Sequence, residues 1–489
     1  MKTTPLKPHA DATLLNALEV TVRIGLFFDG TGNNRVNSQI GADCQAMSEV
    51  YANAHIKECG GRHSDPDSSY ANDLTNIARL AALYRDQPRA HNAGDGLKVY
   101  RSIYISGVGT TSGGRDSRLS GQGFGRGTTG VVAKVSKSIK KVADVLATFR
   151  GDNPGCVIAA LEFDVFGFSR GAASARHFAN EVLKQAKGAL DGVLDARKLP
   201  LVPDFSWSGG HVRLKVIGLF DTVAAVGGFS DLGNVRDSVN NRVNLFLPPG
   251  CAQQVLHLVA ADEHRRNFAL NSIKPHWEME IVLPGSHSDV GGGYQPQAFE
   301  RVALSRPLRS LVSADTPFDT TEAWLQAHAQ LSGLNAQRWL DPDDDSACLG
   351  VECIERVGQR VRGMKTVVAT VMLERRVFGH LSRIYLRLMH ALACAQGVPF
   401  EAIVDSPETS LPPELRGIAS RLIAFGLGEA PPLDEADMTI LYRRYIHCSA
   451  HWNNSLGSRD SLMGNLFVHA PGDNGRQAFM NVGQPGYPH

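Results

Sequence analysis

A series of apolar, β-rich runs, each closed by a cluster of small or polar residues, most tightly limits what this chain can fold into. Thr21 to Phe28 runs into Asp29-Gly30-Thr31-Gly32-Asn33-Asn34, and Val99 to Ile105 into Ser106-Gly107. Val157 to Phe166 runs into Gly167-Phe168-Ser169, Val212 to Phe220 into Asp221-Thr222, and Trp277 to Leu283 into Pro284-Gly285-Ser286-His287. Between these runs lie stretches with apolar residues at helical spacing: Leu74 to Tyr84, Val131 to Phe149, and Gly171 to Lys187. Strands alternating with helices predict an α/β fold, a mostly parallel sheet with helices on both faces. In such sheets reacting groups gather beyond the carboxyl ends of the strands, and the small and polar clusters fall there.

The chain has 489 residues, 43% of them apolar and 20% charged. That is enough apolar material for a large core and excludes a wholly disordered chain. Residues 1–20 read as an N-terminal tail with at most one short helix, and 21–298 as the α/β core. Within the core, 35–72 reads as a polar insertion or long loop, and 111–130, with Arg115, Arg118 and Arg126, as a flexible, mildly basic loop. From 299 to 440 the spacing predicts a helical insertion or lid-like region, in which Phe378, Leu381, Ile384, Tyr385, Leu388 and Leu392 share one helical face. Residues 441–489 are expected to pack back on the core.

A net charge of +1 argues against nucleic acid held by a global positive field. The eight cysteines include no CxxC, so reduced thiols in a protein made in the cytosol are expected. No window of about 18 uncharged apolar residues is present to span a membrane. Lys2 and Lys7 precede no apolar core, and Leu14 to Glu19 is too short and polar for a secretory leader. No signal peptide is therefore expected, and work outside the producing cytosol would need another carrier. No HExxH and no Cys/His set with zinc spacing occurs, and Asp341 to Asp345 lacks calcium-loop spacing. No Gly-Lys-Ser/Thr follows Gly32 or the glycines of 121–127, so no phosphate loop is read there. Neither a metal nor a cofactor is expected.

Gly167-Phe168-Ser169-Arg170-Gly171 fits G-x-S-x-G, with an apolar strand directly before it and the small residues Ala172, Ala173 and Ala175 directly after. That context suits a nucleophile elbow, in which a strained turn exposes the serine and glycines permit close strand–helix contact. A serine nucleophile needs a histidine base oriented by a carboxylate. Asp221 and His287 follow in the order Ser, Asp, His, each just past a strand. Asp262 and Asp289 are rival acids, and His264, His447 and His451 rival bases, the latter two only if the C-terminal segment folds over the sheet. The N–H of Arg170, at the positive end of a helix, and that of Gly30 or Thr31 are the expected oxyanion donors.

These residues carry a family resemblance. Phe27 to Asn34, the elbow followed by Ala172, Phe220-Asp221-Thr222-Val223, Asp262-Glu263-His264-Arg265-Arg266, Pro284 to Tyr294, and Tyr445-Ile446-His447-Cys448-Ser449 with His451-Trp452 occur in that order. Together they resemble the DUF2235 hydrolases, which include phospholipase (type VI lipase) effectors of the bacterial type VI secretion system. The resemblance is strong over 21–294 and weak over 440–480. It implies an α/β-hydrolase fold, a Ser169-Asp221-His287 triad and phospholipase A activity on membrane glycerophospholipids. It also implies an antibacterial effector with a secretion spike protein and an immunity protein as partners, delivered to the periplasm of a recipient cell. An esterase for small soluble esters, and a non-catalytic binding module on the same fold, are the alternatives.

Overall fold

The computed structural model describes residues 17–48, 69–112, 130–224, 243–334, 336–357, 363–453, 469–473 and 475–483. Its centre is a seven-stranded sheet built from β1 (Leu18–Phe28), β2 (Gln87–Asn92), β3 (Leu97–Ile105), β4 (Cys156–Phe168), β5 (Val212–Phe220), β6 (Gln254–Ala260) and β8 (Glu280–Leu283). The spatial order is β2-β3-β1-β4-β5-β6-β8, and only β2 runs antiparallel to its neighbour. The last rungs are Phe28↔Ile105, Phe28↔Gly167, Phe168↔Phe220, Phe220↔Leu258 and Ala260↔Leu283. The carboxyl ends of six parallel strands therefore finish along one edge, and the small and polar clusters stand on it.

Helices cover both faces because the strands are apolar on both faces. Along β1, Val20, Val22, Ile24, Leu26 and Phe28 belong to the core under α3 (Val131–Asp152) and α4 (Arg170–Leu183). Phe27 points to the opposite core, with Phe166 and Phe168 of β4, under α2 (Asn76–Leu83) and α7 (Leu381–Ala395). That alternation is the two-residue period of a strand. Helix α3 buries Val131, Val135, Ile139, Val142, Leu146 and Phe149, the spacing its sequence displays. Each such side chain contributes roughly 1.5–3 kcal/mol relative to exposure.

Three expectations need correction. Residues 35–48 form α1 (Arg35–Ser48) rather than a loop; 49–68 of the expected insertion lie outside the described residues, and 69–72 are described. The helix is polar, and its packing decides its state: Asn37 Nδ2 donates to Ser69 Oγ at 2.8 Å, and Gly41 sits so close to Tyr70 that a Cβ would fall 1.8 Å from its carbonyl oxygen. The strand expected over Trp277 to Leu283 begins only at Glu280, and β6, a full neighbour in the sheet, was not anticipated, because His257 interrupts its apolar run.

The helical expectation from 299 holds for only part of the region. Residues 298–377 contain an antiparallel sheet of β9 (Ala298–Ala303), β10 (Leu308–Ser313), β11 (Cys348–Val357) and β12 (Met364–Val377), with α6 (Glu322–Ser332) against it. The β-branched run Thr366-Val367-Val368-Ala369-Thr370-Val371 in β12 carries that signal. Helices follow as α7, α8 (Pro413–Gly426) and α9 (Glu435–Arg444). Their buried residues share one core with Phe166, Val216 and Phe220 of the main sheet. The two-residue β7 (Leu270–Asn271) pairs with β13 (Ala478–Phe479), which lays residues 478–479 along the segment between β6 and β8. The glycine-rich stretch 113–129, with Arg115, Arg118 and Arg126, and the tail 1–16 lie outside the described residues. Among the described residues no helix is long and apolar enough to cross a membrane.

Candidate active site

Ser169 stands between β4 and α4 with φ 57° and ψ −126°. A non-glycine residue held in that region carries backbone strain on the order of 1–3 kcal/mol, sustained only where the surroundings enforce it. The surroundings are the two glycines of the motif. A Cβ on Gly167 would lie 2.4 Å from Gly171 O, and one on Gly171 would lie 2.2 Å from Phe28 O. Strand β4, helix α4 and the end of β1 thus meet at distances that only glycine permits. Ser169 N donates to Phe220 O at 3.1 Å, which ties the elbow to the end of β5.

One residue past the rung Phe168↔Phe220, Ser169 and Asp221 leave neighbouring strands side by side. Asp221 is fully buried and also has positive φ, 40°. His287 opens the short helix α5 (His287–Gly291) after β8. Its Nδ1–H donates to Asp221 Oδ2 at 2.5 Å. The imidazole packs against Phe168, whose ring centroid is 4.6 Å away, and edge-on against Phe268 at 5.1 Å. Phe168 directly precedes the serine, so the ring reaches the elbow. Burial draws the His287 pKa below its ordinary value, against the opposing pull of Asp221. Burial alone would raise the Asp221 carboxyl, but the Arg476 guanidinium and His287 hold it far below the usual carboxylate range.

The loop after β1 lies against the elbow. The N–H of Gly30 donates to Asp29 Oδ1 at 2.7 Å, and Asp29 also accepts from Thr75 Oγ1 at 2.7 Å and Tyr104 Oη at 2.5 Å. Gly30 is therefore corrected as an oxyanion donor, since its proton is already committed to a buried carboxylate. Thr31 stays a candidate: its Oγ1 accepts from Arg170 Nε at 2.7 Å, so the loop after β1 and the first residue of α4 are joined through their side chains. Burial lowers the Arg170 guanidinium to about 10.

The rival residues are engaged elsewhere. Asp262 accepts from Gly285 N at 2.8 Å and Tyr442 Oη at 2.7 Å, fixing the turn before His287. Asp289 forms a capping box with Ser286 and accepts from His447 Nδ1 at 2.7 Å. His264 is exposed on a loop rather than a helix. His447 stacks on Tyr294 with ring centroids 3.8 Å apart, and His451 stacks on His469 at 4.4 Å. Among the described residues no group of three or more His, Cys, Asp or Glu is placed to hold a metal ion.

Comparison with known proteins decides the family. The catalytic-domain model of the Tle1-like type VI secretion phospholipase effectors matches residues 205–314, a stretch that holds Asp221 and His287 and stops short of Ser169. A solved structure of the Tle1 effector bound to the VgrG spike of the type VI secretion system is 32% identical, with a TM-score of 0.70 over 95% of this chain and 94% of that one. The chain belongs to the Tle1-like family. It is accordingly a Tle1-like phospholipase effector, an ester hydrolase with an α/β-hydrolase-like fold. An uncharacterized protein from Pseudomonas aeruginosa also aligns, at 19% identity and a TM-score of 0.35, over 87% of this chain and 53% of that one. A comparison with curated proteins finds no match.

Several residues that contact Asp221 and His287 in this Tle1-like chain were not visible in the sequence. Arg476 grips both oxygens of Asp221, from 255 positions away. Glu263 takes a bidentate contact from Arg265 and accepts from the His287 backbone N–H at 3.3 Å. Arg265 in turn lies over the Phe268 ring that flanks His287. His257 Nε2 accepts from Thr222 N at 3.0 Å while its Nδ1 meets Glu280 at 3.0 Å, which pins the residue after Asp221. The motif Asp262-Glu263-His264-Arg265-Arg266 was the one available signal; Asp262, Glu263 and Arg265 contact the turn and the ring beside His287, while His264 is exposed.

Proposed function

We propose that this Tle1-like effector is a serine hydrolase of the phospholipase A type, cleaving acyl esters of membrane glycerophospholipids. Ser169 Oγ attacks the ester carbonyl while His287 Nε2 takes its proton. Asp221 holds the imidazole in the tautomer with Nδ1 protonated and stabilises the imidazolium that forms. The N–H groups of Arg170 and Thr31 hold the oxyanion, with α4 directing its positive end at the developing charge. Collapse of the intermediate expels the glycerol oxygen, which takes the proton from His287. The imidazole then activates water to release the fatty acid and restore Ser169.

The observation that carries this reading is the buried His287–Asp221 pair at the strand edge where Ser169 is held in a strained turn. The depressed His287 pKa supports a neutral base. The relative seen on a VgrG spike supports a spike protein as carrier. Delivery then ends in the periplasm of a recipient cell, and the producer is protected by an immunity protein.

The test is fatty-acid release from phospholipid vesicles by wild type and Ser169→Ala. Release is expected from wild type and a loss of at least about 10³-fold in the variant, with an unchanged melting curve. Full release by Ser169→Ala would refute the mechanism. Cleavage confined to a soluble short-chain ester would replace the lipid substrate with a small one.

A further inference from the structure

The C-terminal segment supplies a side chain to the proposed triad. Arg476 Nη1 donates to Asp221 Oδ1 at 2.7 Å and Nη2 to Oδ2 at 2.8 Å. Its Nε donates to Phe268 O at 2.8 Å, and Nη1 also reaches Ala260 O at 3.3 Å. Oδ2 is the same oxygen that accepts from His287, and Oδ1 accepts in addition from Ala260 N at 3.0 Å. The carboxylate is thus held at both oxygens by a guanidinium that is 11% exposed. A planar fork fixes the plane of a carboxylate in a way an ammonium cannot.

The segment bearing Arg476 is itself tied down along the loop between β6 and β8. Leu270 N donates to Gln477 O at 2.9 Å, Ser272 N to Phe479 O at 2.9 Å, and Asn481 N to Lys274 O at 2.7 Å. Asn481 Oδ1 accepts from Leu247 N and from the buried Arg176, both at 3.0 Å. Those bonds set the strap against the loop that also carries Phe268, the ring packed on His287.

We propose that Arg476 is a positioning residue for ester hydrolysis: it orients Asp221 toward His287 and offsets part of its charge, so the C-terminal strap completes the catalytic centre. This rests on the Ser169-Asp221-His287 reading. A triad carboxylate that keeps its whole charge holds the imidazole proton more firmly. Here a second cation shares that charge, which weakens that hold and adds to the effect of burial in favouring a neutral His287. The charged groups facing His287 are Asp221 at the end of β5, Glu263 and Arg265 on the loop after β6, and Arg476 through Asp221. Asp289, paired with His447, lies two residues along its own helix.

Arg476→Gln and Arg476→Lys in the full chain test this, assayed for kcat and KM on a short-chain ester across pH, beside Ser169→Ala. Arg476→Gln is expected to lose roughly 10²-fold in kcat with KM little changed, the effect of slight misplacement of a catalytic group. Its acid limb should move to higher pH, because the unshared Asp221 charge holds the proton on His287 more firmly. Arg476→Lys should return the limb toward wild type while recovering only part of the rate. A wild-type rate and limb in Arg476→Gln would overturn the proposal, as would a loss that leaves the limb in place and is not relieved by lysine. If Arg476→Gln does not fold, a wild-type rate in Arg476→Lys overturns the need for the fork, and a reduced rate with the limb in place upholds it. Undiminished turnover by Ser169→Ala would defeat the triad reading itself, whatever Arg476 does.

Discussion

Two buried histidine–aspartate pairs lie near each other in this molecule, and their surroundings differ. His287 Nδ1 meets Asp221 Oδ2 at 2.5 Å; His447 Nδ1 meets Asp289 Oδ1 at 2.7 Å. By burial and bond length they are near equals, and both histidines follow from the sequence as base candidates. What surrounds the carboxylates separates them. Asp289 Oδ2 accepts from Ser286 N, Ser286 Oγ and His447 N, all within the turn and strap it joins. That aspartate caps a helix and ties the C-terminal segment down. Asp221 leaves β5 in a strained conformation beside Ser169, and its histidine packs on the residue preceding the serine. A His–Asp pair is therefore read by what stands beside it, since the same bond ties down a turn in one place and, in the proposed mechanism, serves a reaction in the other.

The largest break in that comparison is expected from Asp221→Asn. It leaves the shape nearly intact but favours the wrong imidazole tautomer, and kcat should fall on the order of 10⁴-fold. Ester turnover by the folded variant checks it, and a loss below tenfold would remove Asp221 from the proposed triad. His447→Ala should act on the other axis. Removing its ring leaves Asp289 Oδ1 without its partner and Tyr294 without its stack, costing about 1–3 kcal/mol of stability. Thermal unfolding reads that cost, while turnover per folded molecule should stay within a few-fold. An inactive, folded His447→Ala would hand the role of base to the second pair.

The smallest effect is a displacement along the pH axis. Burial lowers the His287 pKa from its ordinary 6.5, so the ring stays neutral, and competent as a base, as pH falls through that value. The acid limb of kcat/KM is expected below 6.5 and the rate is lost only at still lower pH. The sign for stability agrees: a buried ring that resists its proton makes the folded state lose stability as pH drops below the unfolded-state value. A limb above 6.5 would show that Asp221 dominates burial at this ring.

Local signals made Ser169, Asp221 and His287 legible in the sequence as candidates, because each follows a strand and the elbow spells out its own glycines. The alternation of strands and helices likewise announced the sheet and its two covered faces. The sheet of β9 to β12 was missed where intermediate exposure blurs its alternation, as along β11. The polar α1 was missed because Ser69 and Tyr70, far along the chain, settle its packing.

The sequence by itself determined an α/β sheet with a serine elbow and two polar residues at the ends of later strands, since periodicity and glycine placement act over neighbouring residues. Only the tertiary structure decided which acid and which base meet. It committed the Gly30 N–H to Asp29, turned Asp289 into a helix cap, and brought Arg476 across 255 positions onto Asp221. Those choices rest on the desolvation of charges: a buried carboxylate must find partners, and which partners can reach it is settled by packing, which no local pattern records.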